Sequence, residues 1–152
     1  MGAEGQLTIR GITKRDYDYV VSVLDRWWGG PAGQRADPFF FYELGQEALV
    51  AELEGKVVGF LLGFVARTSE APVGYVHLVG IDPHHRRKGV GKQLYTRFAD
   101  RCREAGAKSL KAIAAVGNEG STEFHEALGF TAAEVEDYAG PGRSRMVFER
   151  AL

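Results

Sequence analysis

The chain has 152 residues, 45% of them hydrophobic and 26% charged, with a formal net charge of -1 at pH 7. This length suits one domain over residues 1–152, and the composition excludes a disordered or fibrous chain. Near-balanced charge argues against general nucleic-acid binding, no apolar run approaches the roughly 18 residues a membrane span needs, and the single Cys102 excludes an internal disulfide or a cysteine-based metal cluster. Residues 1–6 carry no secretory pattern, so the cytoplasm is the expected compartment.

Leu7 to Ile12 alternates apolar and polar residues and predicts a short strand. Thr13, with Asp16 three residues on, opens a helix whose apolar face is Tyr17, Val20, Val21, Leu24 and Trp28. Residues 29–38 are rich in Gly and Pro and break regular structure; the aromatic run Phe39-Phe40-Phe41-Tyr42 follows, where a small extra helix fits. Ala48 to Leu53 and Lys56 to Val65 read as a hairpin turning at Glu54-Gly55, and Thr68 to Pro72 as a further turn. Gly74 to Ile81 is a third long strand.

That strand runs into a basic glycine segment, after which Val90, Leu94, Tyr95, Phe98, Ala99 and Cys102 mark one face of a helix ended by Gly106. Ser109 to Val116 predicts a strand, Ser121 to Leu128 a short helix stopped by Gly129, and Arg145 to Glu149 a closing strand. The order β-α-β-β-β-α-β-α-β predicts an α/β fold, antiparallel at its start and parallel around the glycine segment, with helices on both sides of the sheet.

The segment Arg86-Arg87-Lys88-Gly89-Val90-Gly91-Lys92 reads as an anion cradle. Its glycines keep Cβ atoms out of the way, and the helix that starts there offers unpaired N–H groups beside four basic side chains. A dinucleotide motif would need a third glycine where Leu94 stands, and a P-loop would need Ser or Thr where Gln93 follows Gly91-Lys92. His84 and His85 are adjacent, and His77 and His125 lack carboxylates at ligand spacing, so no metal site is expected.

Arg86 to Gly91 following Ile81-Asp82-Pro83, together with Asn118, Ser121 and Phe124-His125-Glu126-Ala127-Leu128-Gly129-Phe130, resembles the GNAT superfamily of acyl-CoA-dependent N-acetyltransferases. The resemblance covers nearly the whole chain. It implies a mixed, mostly antiparallel central sheet, flanked by helices on both sides, in which Gly74–Ile81 and Ser109–Val116 form a splayed parallel pair. It implies acetyl-CoA as co-substrate and a primary amine as acceptor, first a small molecule, with a protein N-terminus or lysine as the rival. A non-catalytic acyl-CoA-binding module is the reading from another class, and a homodimer is left open.

Carried residue by residue, the resemblance gives the N–H groups from Arg87 through Lys88, Gly89, Val90 and Gly91 to Lys92 the CoA pyrophosphate, with Arg86 and the other basic side chains on the phosphates. Val79, Gly80 and Ile81 would run along the pantetheine arm, and an N–H near Val79 would polarise the acetyl carbonyl. Asn118, Ser121 and His125 would contact CoA, with a turn or helix cap as the second reading of Asn118. The family's strand glutamate is replaced by Tyr75. His77, two residues on and so on the same face, becomes the candidate base, with Tyr75 or a water relay as substitutes and a hydrogen-bonded sheet histidine as the bland reading. The family's usual acid, a tyrosine, is replaced by His125, which either donates a proton or contacts CoA; Tyr138 is the second candidate. Trp28, Asp37 and Tyr75 would border the acceptor, Asp37 and Glu43 suit an ammonium, and Trp27 with Phe39 to Tyr42 would divide between core and pocket.

Overall fold

The structure, a computed structural model, describes residues 6–28, 35–67 and 70–152. The expected irregular segment therefore lies outside the described residues between 29 and 34, as do residues 68 and 69 of the expected turn. The first strand, β1 (Thr8–Gly11), leads into α1 (Lys14–Trp28) through the expected capping box. The Asp16 carboxylate accepts from the Thr13 N–H at 2.8 Å, and Thr13 Oγ1 accepts from the Asp16 N–H at 3.3 Å. Arg10 of β1 donates to the same carboxylate at 2.7 and 3.1 Å, which fixes the strand to the helix start.

After a short helix α2 (Phe39–Tyr42) and a 3-10 turn at Gly45–Glu47, the chain enters β2 (Leu49–Leu53), β3 (Lys56–Arg67) and β4 (Pro72–Ile81). Then come α3 (Val90–Glu104), β5 (Ser109–Ala115), α4 (Glu119–Ala127), β6 (Thr131–Val135) and β7 (Arg145–Ala151). The described strands form one seven-stranded sheet in the order β1-β2-β3-β4-β5-β7-β6. Only β4 and β5 pair in parallel; every other described pairing is antiparallel. This matches the mixed sheet expected from the sequence, with β6 as an added strand. Thr131-Ala132-Ala133-Glu134-Val135 has weak strand propensity and an exposed edge, and it is a strand because β7 pairs with it from Thr131–Glu149 to Val135–Arg145.

Two apolar layers sandwich the sheet. On one face α1 buries Tyr17, Val20, Leu24 and Trp27 against Val50, Phe60, Leu62 and Leu78, with the partly buried Phe40 and Phe41 of α2 packed beside them. On the other, α3 buries Leu94, Tyr95, Phe98 and Cys102 against Leu49, Leu61, Val76, Leu110 and Phe148, joined by Phe124 and Leu128 of the α4 segment. Cys102 is core packing, and burial pushes its thiol up to about 12.

Candidate active site

The parallel pairing of β4 with β5 covers only Val73–Ser109 to Val76–Ala112, although β4 continues to Ile81 and β5 to Ala115. The strands part there, and the parting coincides with a bulge. Against β3, Leu62 pairs with Leu78 but Gly63 pairs with Val76, so His77 is one residue too many in the ladder. The bulge reverses the strand's alternation. Before it, Val76 belongs to the α3 core and a Cβ on Gly74 would lie 2.5 Å from Cys102 Sγ; after it, Leu78 belongs to the α1 core and a Cβ on Gly80 would lie 2.4 Å from the Phe60 ring.

Backbone polarity in β4 follows from the same ladder. The Asp82 N–H donates to the Val58 carbonyl at 2.8 Å, which makes Asp82–Val58, and by alternation Gly80–Phe60 and Leu78–Leu62, hydrogen-bonded pairs with β3. Val79 and Ile81 then turn their N–H and C=O groups the other way, into the gap that β5 has left.

The gap runs to the start of α3. Asp82 caps the 3-10 turn Pro83–His85, Arg87 adopts φ 63°, and Gly89 adopts φ 79° as N-cap. Gly89 supplies no side-chain cap, and the first helical bond runs from the Gln93 N–H to the Gly89 carbonyl at 3.0 Å. The N–H groups of Val90, Gly91 and Lys92 thus precede the helical ladder, flanked by the exposed Arg87, Lys88 and Lys92. Two expectations take a different shape here. A Cβ on Gly91 would meet Phe124 Cζ at 2.9 Å, so this glycine lets α3 and α4 approach and does not face an anion. Arg86 Nη2 donates to the Trp27 carbonyl at 2.6 Å, tying the cradle to the C-terminal end of α1.

His77 lies on the α1–α2 face. Its ring stacks on Phe40 at 3.7 Å between centroids, and its Nε2 lies 2.7 Å from the Arg35 carbonyl. A carbonyl accepts only, so Nε2 carries the proton and Nδ1 keeps its lone pair. Burial holds the imidazole below its ordinary value despite the Arg35 bond. Tyr75 shares this face and packs on Phe64 at 5.4 Å, while Phe64 reaches Phe40 at 6.2 Å. Burial, with Tyr138 nearby, raises the Tyr75 phenol, so it remains a proton donor at neutral pH.

His125 is placed differently. It is 7% exposed, stacked on Phe148 at 4.3 Å, and both ring nitrogens are engaged. Nδ1 lies 2.7 Å from the Ser121 carbonyl and is the donor; Nε2 lies 2.7 Å from the Tyr95 hydroxyl and accepts from it. Burial depresses the His125 imidazole, and Tyr95, 1% exposed, is pushed far above its ordinary value. This pair pins α4 to α3 and the sheet. Asn118 caps α4, its Oδ1 accepting from the Ser121 N–H at 3.1 Å. Asp37 accepts from the Phe39 N–H at 3.1 Å at the start of α2, and Trp28 ends α1 with its side chain outside the described part. Trp27 is core, whereas Phe39 and Tyr42 are 44% and 60% exposed.

Tyr138 sits 40% exposed in the loop between β6 and β7, with Lys111 Nζ 5.2 Å from its ring centroid. Lys111 had no distinguishing mark in the sequence; only the register that sets it beside Tyr75 gives it meaning. Phe40, Arg35 and Tyr95 likewise take their partners, His77 and His125, from 30 or more residues away. Among the described residues no cluster of three metal-ligating side chains occurs, and no helix is long and apolar enough to cross a membrane.

Among known proteins, the chain is 26% identical to an uncharacterized N-acetyltransferase from Methanocaldococcus jannaschii, over 84% of this chain and 62% of that protein, so it spans under two thirds of that relative. It is 30% identical to the L-methionine sulfoximine/L-methionine sulfone acetyltransferase of Salmonella typhimurium, over 82% of this chain and 80% of that one. An acetyltransferase from Salmonella typhimurium, solved with its cofactor acetyl-CoA, shares the fold at TM-score 0.72 and 23% identity, over 96% of this chain and 94% of that chain. The family model for the acetyltransferase (GNAT) family matches residues 17–130. With its splayed β4–β5 pair and its uncapped α3 start, the chain belongs to the acetyltransferase (GNAT) family.

Proposed function

We propose that this chain transfers the acetyl group of acetyl-CoA to the primary amine of a small molecule. One observation carries the reading: the outward-facing amides of Val79 and Ile81 and the free first-turn N–H groups of α3 form one continuous polar track. In CoA the amide-bearing pantetheine arm is joined to a pyrophosphate, so the track offers strand-like pairing along one part and a helix start with Arg87, Lys88 and Lys92 at the other. Acetyl-CoA supplies the activated acyl group as a thioester.

The chain's own residues do the rest. The Val79 N–H faces the gap and would polarise the acetyl carbonyl of a thioester bound there. An alkyl ammonium has a pKa near 10.4, so the attacking amine must lose a proton, and removing it at neutral pH costs roughly 4 kcal/mol. His77 is neutral at pH 7, with Nδ1 as acceptor, and takes that proton directly or through one water. The C–N bond forms as the C–S bond breaks. The departing thiolate belongs to a thiol with a pKa near 8.5 and needs little help. His125 is given a packing role, because Tyr95 and the Ser121 carbonyl hold both nitrogens. Tyr138 belongs to the acceptor side through Lys111. The Salmonella relative is named for acetylating L-methionine sulfoximine and L-methionine sulfone, which supports a small-molecule acceptor here.

A thiol-release assay over a panel of primary amines and peptides, run beside acetyl-CoA titration, tests this. The expected result is tight acetyl-CoA binding with CoA release on small amines. Binding without release on any acceptor would leave an acyl-CoA-binding module in its place.

A further inference from the structure

Lys111 stands in parallel register with Tyr75, one rung before the strands part at Val76–Ala112. Its neighbours Leu110 and Ala112 fill the α3 core, so strand alternation turns Lys111 to the opposite face, where Tyr75, Phe64, Phe40 and His77 form a row. The side chain is half-buried, and its ammonium lies 5.2 Å from the Tyr138 ring centroid. The loop that brings Tyr138 there is held by its own bonds: the Gly142 N–H donates to Asp137 Oδ1 at 2.7 Å, and the Ala139 N–H to the Arg143 carbonyl at 2.9 Å. The aromatic roof is thus fixed over the cation.

No carboxylate among the described residues makes an ion pair with Lys111. Glu149 is its cross-strand partner on β7, but that side chain is exposed and does not reach it within 4.0 Å. A half-buried lysine whose ammonium lies beside an aromatic face thus has no carboxylate partner among the described residues.

We infer that Lys111 binds the carboxylate of the acceptor, and that the acceptor is a free α-amino acid. This rests on the acetyl-transfer reading above. In an α-amino acid one carbon separates amine and carboxylate, so a cation two β4 positions from His77 can hold the carboxylate while the amine faces the base. The α-amine of a peptide lacks that neighbour, because its carboxyl is a neutral amide.

The experiment compares kcat/KM for L-methionine sulfone and the common L-amino acids with kcat/KM for their primary amides, in the wild type, Lys111→Met and Lys111→Arg. The wild type is expected to prefer the acids by about tenfold or more, through KM. Lys111→Met should abolish that preference by losing the acids while keeping the amides, and Lys111→Arg should restore it. Acetyl-CoA affinity should be the same in all three. Equal use of acid and amide by the wild type, or an unchanged ratio in Lys111→Met, overturns the inference while leaving acetyl transfer intact. CoA release on peptides or other amines but on no amino acid also overturns it. Absence of CoA release on every acceptor removes the parent reading and this one with it.

Discussion

The two sides of the cleft are made of different material. The proposed cofactor side is backbone: outward amides of Val79 and Ile81, a left-handed Gly89, and the first N–H groups of α3, all within one stretch of chain. The proposed acceptor side is side chains: Phe40 from α2, Phe64 from β3, Tyr75 and His77 from β4, Lys111 from β5 and Tyr138 from the last loop. Backbone sites need a conformation, which short local patterns encode; side-chain sites need a register between distant strands, which no local pattern encodes.

This division can be broken or sharpened by substitution. His77→Ala should have the largest effect, lowering kcat by about 10²–10³ with acetyl-CoA affinity unchanged. Burial holds the folded imidazole below its usual pKa of about 6.5, so wild-type kcat/KM should fall as pH drops through that lowered value. The variant should lack that acid limb, and an unchanged profile would remove His77 from the chemistry. Tyr95→Phe leaves His125 Nε2 without its donor; urea unfolding should show a loss of about 1–3 kcal/mol with kcat and its pH profile unaltered. A shifted profile there would return His125 to the mechanism.

Gly89→Val places a β-branched residue at φ 79° and should cost roughly 1–2 kcal/mol. Calorimetry should show the cost in acetyl-CoA binding, while acceptor KM at saturating acetyl-CoA stays put. The smallest expected effect belongs to Arg86→Met, which severs the bond to the Trp27 carbonyl. Worth about 1 kcal/mol, its loss should raise the KM of both substrates several-fold. A change in acetyl-CoA KM alone would mean that the two sides act independently.

Much of the fold was legible because periodicity is local. The capping box at Thr13 and Asp16, the apolar face of α3 and the hairpin at Glu54-Gly55 all appear where their patterns put them. The edge strand β6 was not legible, since its alanines carry little strand signal and only pairing with β7 makes it a strand. In the site, the glycine turn ahead of α3 was legible, yet the sequence could not show that Gly91 faces Phe124 or that Arg86 reaches Trp27. His125 matched a family position, but its enclosure depends on Tyr95 and Phe148, which only the packed structure brings to it. Lys111 was invisible for the same reason.

The extra residue in β4 acts as a frameshift in the reading of side chains. Up to Val76 the strand is read in one phase, with even-numbered residues facing α3; from Leu78 onward it is read in the other. Taking His77 into the ladder as an ordinary rung would give a more regular strand and move Leu78 and Gly80 to the α3 phase. The sheet would gain in order as every downstream side chain spelled a different surface, so this strand's length is as much a part of its message as its composition.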